Sequence, residues 1–286
     1  MINKLILGTA NFDLNYGIKN KYKKLKKKEI KKIIYSLKKN KINYIDTSQN
    51  YNNTEKILGD LNIKKFKVCT KFTFNKYIKN IVKDKFLSTT KNLRTKSIHT
   101  VLFHRPSDLL KKNGKLIFNE IVLLKKKGYI KKIGISSDKK SELKKILDKY
   151  KFDIVQVPIN IFNQSFLEKK FLSYLKKKKV EIHARSVFLQ GLLLMREREI
   201  PKFFLENANI LKNWNQWLEK NKITNLDACL NFITNQKRVK KFVLGVDSLR
   251  QLNEILNFKK SQKKFNFGVL NLSVSKITLP QKWQKE

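Results

Sequence analysis

Runs of apolar, mostly β-branched residues recur along the chain and are separated by longer lysine-rich segments. Several of the runs, such as residues 101–103 and 242–244, are apolar at every position. Strands that are buried on both faces have such continuous runs, whereas strands with one wet face alternate apolar and polar residues. The pattern therefore predicts eight buried strands, over residues 4–10, 42–47, 66–72, 98–104, 130–137, 153–160, 180–187 and 241–247.

The segments between these runs carry apolar residues at helical spacing. In residues 25–40, Ile30 and Ile33 lie on one face of a helix, and lysines cover the opposite face. Such a stripe is typical of an amphipathic helix that packs against a sheet. Helices of this kind are predicted over residues 25–40, 115–127, 141–150, 166–178 and 249–258.

Strands that alternate with helices form a parallel sheet, because each helix returns the chain to the same edge of the sheet. Eight such strands in 286 residues indicate a closed (β/α)8 TIM barrel, an α/β fold. The alternative is a doubly wound open sheet, but no G-x-G-x-x-G element follows any predicted strand. The prediction is one barrel domain over residues 1–286, with an insert at residues 197–221 and a C-terminal tail at residues 262–286.

Composition excludes several other classes of protein. Hydrophobic residues make up 41% of the chain, which excludes a wholly disordered protein. No apolar run approaches the ~20 residues that a membrane-spanning helix needs, and the N-terminus lacks the apolar stretch of a signal peptide. The two cysteines, Cys69 and Cys229, are too few for a secreted disulfide framework. We therefore expect a cytoplasmic protein with no membrane partner.

The net charge is +43, from 65 basic and 22 acidic residues. A nucleic-acid-binding protein would explain this excess, but only seven of the basic residues are arginines and the lysines are spread over the whole chain. Lys, Asn, Ile, Phe and Tyr are all encoded by A/T-rich codons, so an A/T-rich genome is sufficient to produce the charge. We expect a solvated lysine surface and no specific nucleic-acid partner. A basic polyanion-binding protein is an alternative that the charge alone supports.

Polar residues stand at the carboxyl ends of the predicted strands, where the active sites of barrels lie. Asp46 and Lys71 end the second and third strands, and His104 ends the fourth. Tyr51 follows five residues after Asp46. A lysine at a buried strand end needs a carboxylate partner, which Asp46 supplies. Each residue alone would more often be structural, but together they converge on one face. Three further polar residues end the next strands: Ser136, Gln156 and Arg185.

These residues belong to motifs that resemble those of the aldo-keto reductases. The D-T-x-x-x-Y element is followed in order by the lysine, the histidine and a G-I-S element, as in that family. The resemblance implies a (β/α)8 barrel that transfers hydride from NAD(P)H to the carbonyl group of an aldehyde or ketone. The matching stretches are LGTA (7–10), IDTSQNY (45–51), TK (70–71), LFHRP (102–106), GYIKKIGISS (128–137), VQVPIN (155–160), ARSVFLQGLL (184–193) and LGVDS (244–248).

The family's catalytic tetrad corresponds to Asp46, Tyr51, Lys71 and His104 of this sequence. The resemblance implies that Tyr51 donates a proton to the carbonyl oxygen as hydride attacks the carbonyl carbon. Lys71 would lower the pKa of Tyr51 from its ordinary value of about 10, and Asp46 would hold Lys71 in place. His104 would orient the carbonyl group. No metal ion is expected, since no residues have metal-ligand spacing.

The resemblance assigns Ser136 and Gln156 to the carboxamide of the nicotinamide. The sequence departs from the family pattern beside these residues. Ser137 stands where the family often has Asn, and Arg185 stands where many members stack a Tyr on the nicotinamide ring. A planar guanidinium also stacks on rings, so we expect Arg185 to take that role.

A third departure concerns the adenosine end of the cofactor. Gln251 stands where a basic residue often binds the 2′-phosphate, and Arg250 is adjacent. Gly245 and Ser248 fit a phosphate site at the start of the last predicted helix. The resemblance implies NADPH, which most members of the family prefer, and the lysine-rich surface favours its 2′-phosphate; NADH is the alternative. The full set of expected cofactor-binding residues is Gly8, Thr9, Ser136, Gln156, Arg185, Gly245, Ser248, Arg250, Gln251 and Glu254.

Two further questions stay open at the level of the sequence. A barrel that has lost catalysis and serves as a binding or scaffold protein is the main alternative to a reductase. The partner expected for a reductase is a small carbonyl compound, and the short form of the family that this chain resembles suggests a sugar-like one. Its specificity would come from residues 11–20, 106–113 and 197–221 and from the tail. The sequence predicts no oligomeric state.

Overall fold

A computed structural model describes residues 2–14, 16–18, 24–272, 275–280 and 283. Eight parallel strands form a closed barrel in chain order, and the last strand pairs with the first. The predicted (β/α)8 barrel is confirmed, and closure excludes the open sheet. The strands are β1 (Leu5–Gly8), β2 (Tyr44–Asp46), β3 (Lys67–Phe72), β4 (Ile98–Phe103), β5 (Ile130–Ser136), β6 (Ile154–Pro158), β7 (Glu181–Arg185) and β8 (Val239–Gly245).

The helices predicted over residues 25–40, 115–127, 141–150, 166–178 and 249–258 are confirmed, with boundaries that differ by at most three residues. The helices are α1 (Ala10–Asp13), α2 (Lys27–Lys39), α3 (Thr54–Asp60), α4 (Ile81–Leu93), α5 (Gly114–Lys126), α6 (Lys140–Lys149), α7 (Lys169–Lys177), α8 (Ala208–Asn221), α9 (Asn225–Thr234) and α10 (Leu249–Leu256). Short 3-10 helices lie at Ile2–Lys4, Pro106–Leu110, Ser165–Leu167, Leu189–Leu194, Glu197–Glu199, Lys202–Asn207, Gly268–Leu270 and Lys276–Thr278.

Helices α3 and α9, which the pattern did not predict, lack a long stretch with one buried and one lysine-covered face. Six consecutive residues of α9, from 228 to 233, are buried, so this helix has no lysine-covered face on that stretch. The short helix α3 packs closely on α4, because a Cβ atom on Gly59 would overlap the backbone of Asn92. A helix is recognised from its hydrophobic period only if one face is exposed and the helix is long enough to show the period. The buried helix α9 and the short helix α3 are therefore not predicted.

The barrel interior is filled below the carboxyl ends of the strands. Ile6, Cys69, Leu102 and Ile154 form a buried cluster with Tyr44. A larger apolar core lies outside this cluster, where the helices cover the sheet. Polar side chains at the carboxyl end of the barrel therefore stand above a closed apolar layer, which limits their contact with water.

Strand register brings the predicted site residues to one rim of the barrel. Gly8 pairs with Asp46 on one side and with Gly245 on the other, so the ends of β1, β2 and β8 are level. On the opposite side of the rim, Ser136 pairs with Gln156. None of the described helices is long and apolar enough to cross a membrane. The cytoplasmic location stays a prediction.

The C-terminal segment packs against the segments that follow β6 and β7. Leu272 donates a backbone hydrogen bond of 2.9 Å to Phe162, and the rings of Trp283 and Phe204 have centroids 5.0 Å apart. The insert predicted at residues 197–221 contains 3-10 turns and then α8. Parts of two loops expected to shape specificity, residues 15, 19–20, 273–274, 281–282 and 284–286, lie outside the described residues.

Candidate active site

Asp46 and Lys71 form a buried ion pair at the ends of β2 and β3. Their side chains are 5% and 2% exposed. The Lys71 ammonium donates hydrogen bonds to Asp46 Oδ1 and, at 2.9 Å, to the carbonyl oxygen of Thr47. Burial alone would lower the pKa of Lys71, but the Asp46 carboxylate raises it above its ordinary value. Lys71 therefore keeps its proton and provides a fixed positive charge.

Tyr51 lies in the turn after β2, and α1 holds that turn in place. Asp13 accepts a hydrogen bond of 2.8 Å from the amide of Asn53, and its carbonyl oxygen accepts one of 2.8 Å from the side chain of Asn52. The Lys71 nitrogen lies 5.3 Å from the centroid of the Tyr51 ring. Burial raises the pKa of the Tyr51 phenol, and the charge of Lys71 opposes that rise. The net shift is upward, because burial outweighs the lowering that the sequence led us to expect.

His104 follows β4 directly and faces Tyr51. The two rings have centroids 6.2 Å apart and are nearly perpendicular, at 83°. Burial, followed by the charges of Lys71 and Arg185, lowers the pKa of His104 to about 4. The imidazole is therefore neutral near pH 7. The structure thus brings all four residues of the predicted tetrad together. Within the described ranges, no three His, Cys, Asp or Glu side chains are grouped so that they could hold a metal ion.

Gln156 contacts the ion pair from the opposite side of the barrel. Its amide nitrogen donates a hydrogen bond of 2.7 Å to Asp46 Oδ2, the oxygen that Lys71 does not use. Both Gln156 and its neighbour in register, Ser136, are buried. The family resemblance assigns Gln156 to the cofactor, and nothing in the sequence indicates this contact with Asp46. Gln156 and Asp46 meet because β6 and β2 lie opposite each other in the closed barrel.

Arg185 ends β7 and is tied to β5 and the segment after it. Its Nη2 atom lies 2.6 Å from Asp138 Oδ1, and its Nε donates to Ser136 Oγ at 3.4 Å. The guanidinium is therefore anchored by Asp138, a residue that the sequence did not indicate. Ser137 does not contact Arg185 in the described bonds; its hydroxyl pairs with the backbone of Lys139.

Thr9 joins the end of β1 to the end of β2, and Asn11 joins α1 to the segment after β8. The amide and the hydroxyl of Thr9 both donate to the carbonyl oxygen of Asp46, each at 3.0 Å. Asn11 donates from its side chain to the carbonyl oxygen of Val246 and, at 2.7 Å, to Asp247 Oδ1. Asn11 Oδ1 is buried and has no partner in the described part of the chain. A Cβ atom on Gly245 would approach this oxygen to 3.7 Å, so the protein's own packing does not require the glycine.

At the start of α10, where the sequence predicts a phosphate site, several backbone amides have partners within the protein. Ser248 Oγ accepts from the amide of Gln251 at 3.2 Å, and the amide of Leu249 donates to the carboxylate of Glu29 at 2.7 Å. The amide of Asp247 donates to Gln251 Oε1, also at 2.7 Å. These backbone donors are thus already satisfied within the protein.

Arg250 and Glu254 lie on the outer face of α10. The Arg250 side chain is 85% exposed, and its Nε lies 3.7 Å from Glu254 Oε1, one helical turn further on. An exposed pair at this separation contributes little to stability, so the guanidinium is available to other anions. Arg250, the basic residue expected near a 2′-phosphate, therefore presents an exposed guanidinium at this corner of the barrel.

Comparison with known proteins decides the family. A model of the aldo/keto reductase family matches residues 4–266. The chain belongs to the aldo/keto reductase family. Its barrel is similar to that of an aldo-keto reductase from Bacillus halodurans in its holo form, with a TM-score of 0.71, 18% identity and coverage of 91% of this chain and 88% of that one.

A second similar structure is a thermostable aldo-keto reductase in complex with the inhibitor epalrestat. Its TM-score is 0.69 at 17% identity, and the match covers 91% of each chain. At this identity, likeness to the two solved structures shows the fold alone. No curated protein matches the chain.

Aldo/keto reductases are oxidoreductases that use nicotinamide cofactors, and the rim described above has chemistry that fits such a group. Ser136 and Gln156 present a hydroxyl and an amide, which are suited to hydrogen-bond a carboxamide. Asn11 Oδ1, which has no partner among the described residues, and the space in front of Gly245 lie at the other end of the rim. The residues present are therefore compatible with a dinucleotide laid across the carboxyl ends of the strands.

Proposed function

We propose that this aldo/keto reductase reduces the carbonyl group of a small aldehyde or ketone, with Tyr51 as the general acid. The supporting observation is the arrangement around Tyr51. Its ring lies 5.3 Å from the ammonium of the buried Lys71 and faces the neutral imidazole of His104. A binding or scaffold barrel would have no use for a buried ion pair beside a tyrosine, because burying two charges is costly.

A reduced nicotinamide supplies the hydride when it is bound. Tyr51 donates its phenolic proton to the carbonyl oxygen as negative charge develops there. Lys71, kept protonated by Asp46, stabilises the tyrosinate that remains. His104 donates a hydrogen bond from Nε2 to the same oxygen and orients the carbonyl group. The apolar layer beneath the site keeps these charges in a poorly solvated environment. The electrostatic interactions between them are therefore stronger than in water.

We propose NADPH as the preferred cofactor and NADH as the alternative. Ser136 and Gln156 would hold the carboxamide, and Arg185, anchored by Asp138, would lie against the nicotinamide ring. The exposed Arg250 and the lysine-rich surface attract a 2′-phosphate. The carboxylate of Glu29 at the start of α10 opposes it.

Gly8, Thr9, Gly245, Ser248, Gln251 and Glu254 remain in the proposed cofactor-binding set. Thr9 and Ser248 would fix the local backbone beside the cofactor, since their hydroxyls are bonded within the protein. A sugar-like aldehyde or ketone is the substrate class that we propose to test first. The loop after β1 and the segment after β7 would border it, because Ile18 donates a backbone hydrogen bond of 3.1 Å to Gln190.

The test is a screen that follows oxidation of NADPH and NADH across aldehydes, ketones and keto-sugars. We expect substrate-dependent oxidation by the wild type and only background oxidation by Tyr51→Phe. Tyr77→Phe is a matched control, because Tyr77 donates its hydroxyl to Glu120 away from the site. Quenching of tryptophan fluorescence measures cofactor binding in each protein. Cofactor binding without oxidation of any substrate would favour the binding-protein alternative.

A further inference from the structure

Ser48 lies beneath His104 and contacts its ring. This serine is the third residue of the D-T-S-Q-N-Y element and is fully buried. Its Oγ atom lies 3.2 Å from Nδ1 of His104, although the two residues are 56 positions apart in the chain. The tetrad described above gives Ser48 no role. The contact nevertheless involves the ring nitrogen that faces away from any substrate hydrogen-bonded at Nε2.

The direction of this hydrogen bond follows from the other bonds of the serine. Ser48 Oγ already accepts from the amide of Asn50 at 3.2 Å, and its single proton has two acceptors within reach. One is the carbonyl oxygen of Lys71, at 3.4 Å, which also accepts from the amide of Gln49. The other is His104 Nδ1, which is closer, at 3.2 Å, and has no other protein donor among the described hydrogen bonds. The shorter distance favours Nδ1 as the acceptor of the hydrogen bond that the Ser48 hydroxyl donates.

A neutral imidazole carries one proton, on Nδ1 or on Nε2, and the hydrogen bond at one nitrogen fixes the state of the other. If Ser48 donates to Nδ1, the ring proton must reside on Nε2. Nε2 is then a donor toward the carbonyl oxygen of a substrate. With the proton on Nδ1 instead, Nε2 would present a lone pair to that oxygen and would repel it.

We propose that Ser48 is a positioning residue that holds His104 in the Nε2–H tautomer. The proposal rests on the proposed function for its catalytic consequence, but the tautomer itself is a property of the free protein. It extends the site by one residue, which acts only through His104 and does not touch the reacting atoms.

Nitrogen NMR tests the tautomer directly. The chain has only three histidines, so protein labelled with ¹⁵N-histidine gives three ring systems, and the spectrum of His104→Gln identifies the signals of His104. In the wild type near pH 7 we expect a bare Nδ1 and a protonated Nε2. A protonated Nδ1 in the wild type would overturn the proposal, whatever the activity. This measurement needs no substrate, so it stands even if the protein reduces none of the carbonyl compounds in the screen.

Variants then connect the tautomer to the reaction. Ser48→Ala should give a mixture of tautomers and lower kcat by about three- to tenfold, in proportion to the competent fraction, with the affinity for cofactor unchanged. Ser48→Thr keeps the hydroxyl and should restore both values. Ser165→Ala is a matched control, since it removes another buried hydroxyl, one that donates to Asn163 at 2.7 Å. Unchanged tautomer and kcat in Ser48→Ala would overturn the proposal. If Ser48→Ala does not fold, the spectrum of the wild type decides.

Discussion

The side-chain amide of Gln156 donates a hydrogen bond of 2.7 Å to Asp46 Oδ2, while Lys71 occupies Asp46 Oδ1. Both oxygens of the buried carboxylate are thus satisfied from opposite sides of the barrel. The family resemblance assigns Gln156 to the nicotinamide. In the cofactor-free protein, Gln156 stabilises the Asp46–Lys71 ion pair instead. A carboxamide that engages Gln156 therefore acts on a side chain that already touches Asp46.

We predict that Gln156→Leu lowers the free energy of unfolding of the cofactor-free protein by about 1–3 kcal/mol, because it leaves a buried carboxylate oxygen without a partner. Urea unfolding without cofactor measures this change. Ser136→Ala is the control: it removes the neighbouring hydroxyl, whose contact with Arg185 is a long one of 3.4 Å, and should leave the stability nearly unchanged. If Gln156 served the cofactor alone, Gln156→Leu would weaken cofactor binding and leave the stability intact.

Replacing Tyr51 by Phe should reduce turnover by about 10²–10⁴-fold, the typical effect of removing a general acid. Only one hydroxyl is lost from the site, so cofactor affinity should stay close to that of the wild type. Steady-state kinetics and a fluorescence titration of the same preparation measure the two quantities. Near-full turnover of the variant on any substrate of the wild type would show that another group donates the proton.

Lys71→Met should destabilise the protein by about 3–5 kcal/mol, because it leaves the charge of Asp46 buried and unpaired. It should also move the basic limb of the pH–rate profile to higher pH, since the charge that lowers the pKa of Tyr51 is lost. The double variant Asp46→Asn with Lys71→Met removes both charges. We expect it to recover most of the stability and none of the activity. Recovery of activity would mean that Lys71 serves only the fold.

The sequence allowed the barrel to be predicted because several of its strands contain continuous apolar runs and amphipathic helices separate the strands. β4 and β8 show this in residues 101–103 and 242–244. The start of β8 was missed by two residues, since Val239 is followed by Lys240 and Lys241 and the run is broken there. Helix α9 escaped prediction for the converse reason: burial on most of its faces removes the helical period.

The sequence predicts those residues of the site that lie at the ends of strands, because their positions follow from the order of the strands. Asp46, Lys71 and His104 are close because their strands are adjacent in a parallel barrel. Contacts across the barrel, such as that between Gln156 and Asp46, depend on closure and side-chain direction, which spacing along the chain does not encode. The bond from Leu249 to Glu29 joins elements 220 residues apart and has no local signal.

We predict that acid destabilises the protein between about pH 6.5 and pH 4. Burial first, and then the charges of nearby lysines, lowers the pKa of both His99 and His104 from 6.5 to about 4 in the folded state. In that interval the unfolded chain binds protons that the folded protein does not, so stability rises with pH. The contribution is complete above pH 6.5 and is lost as the pH falls through 4. For His104 it is at most about 3 kcal/mol.

Urea unfolding at a series of pH values measures this loss. His104→Gln should show a shallower decline than the wild type, because the variant has no imidazole to protonate at this position. An unfolding free energy that stays constant from pH 7 to pH 4.5 would contradict the burial of neutral imidazoles.

Two charged residues at the start of α10, Arg250 and Glu29, bear on the choice between NADPH and NADH. We expect the wild type to bind NADPH more tightly, and Arg250→Ala to weaken NADPH by up to about fivefold with no effect on NADH, as suits an exposed charge pair. Glu29→Gln should strengthen NADPH more than NADH, because it removes the carboxylate bound at the start of α10. Arg238→Ala, which removes an equal charge from the chain just before β8, is the control. Fluorescence titration of all four proteins with both cofactors decides: equal affinities in the wild type, or equal losses in Arg250→Ala, would remove Arg250 from the 2′-phosphate site.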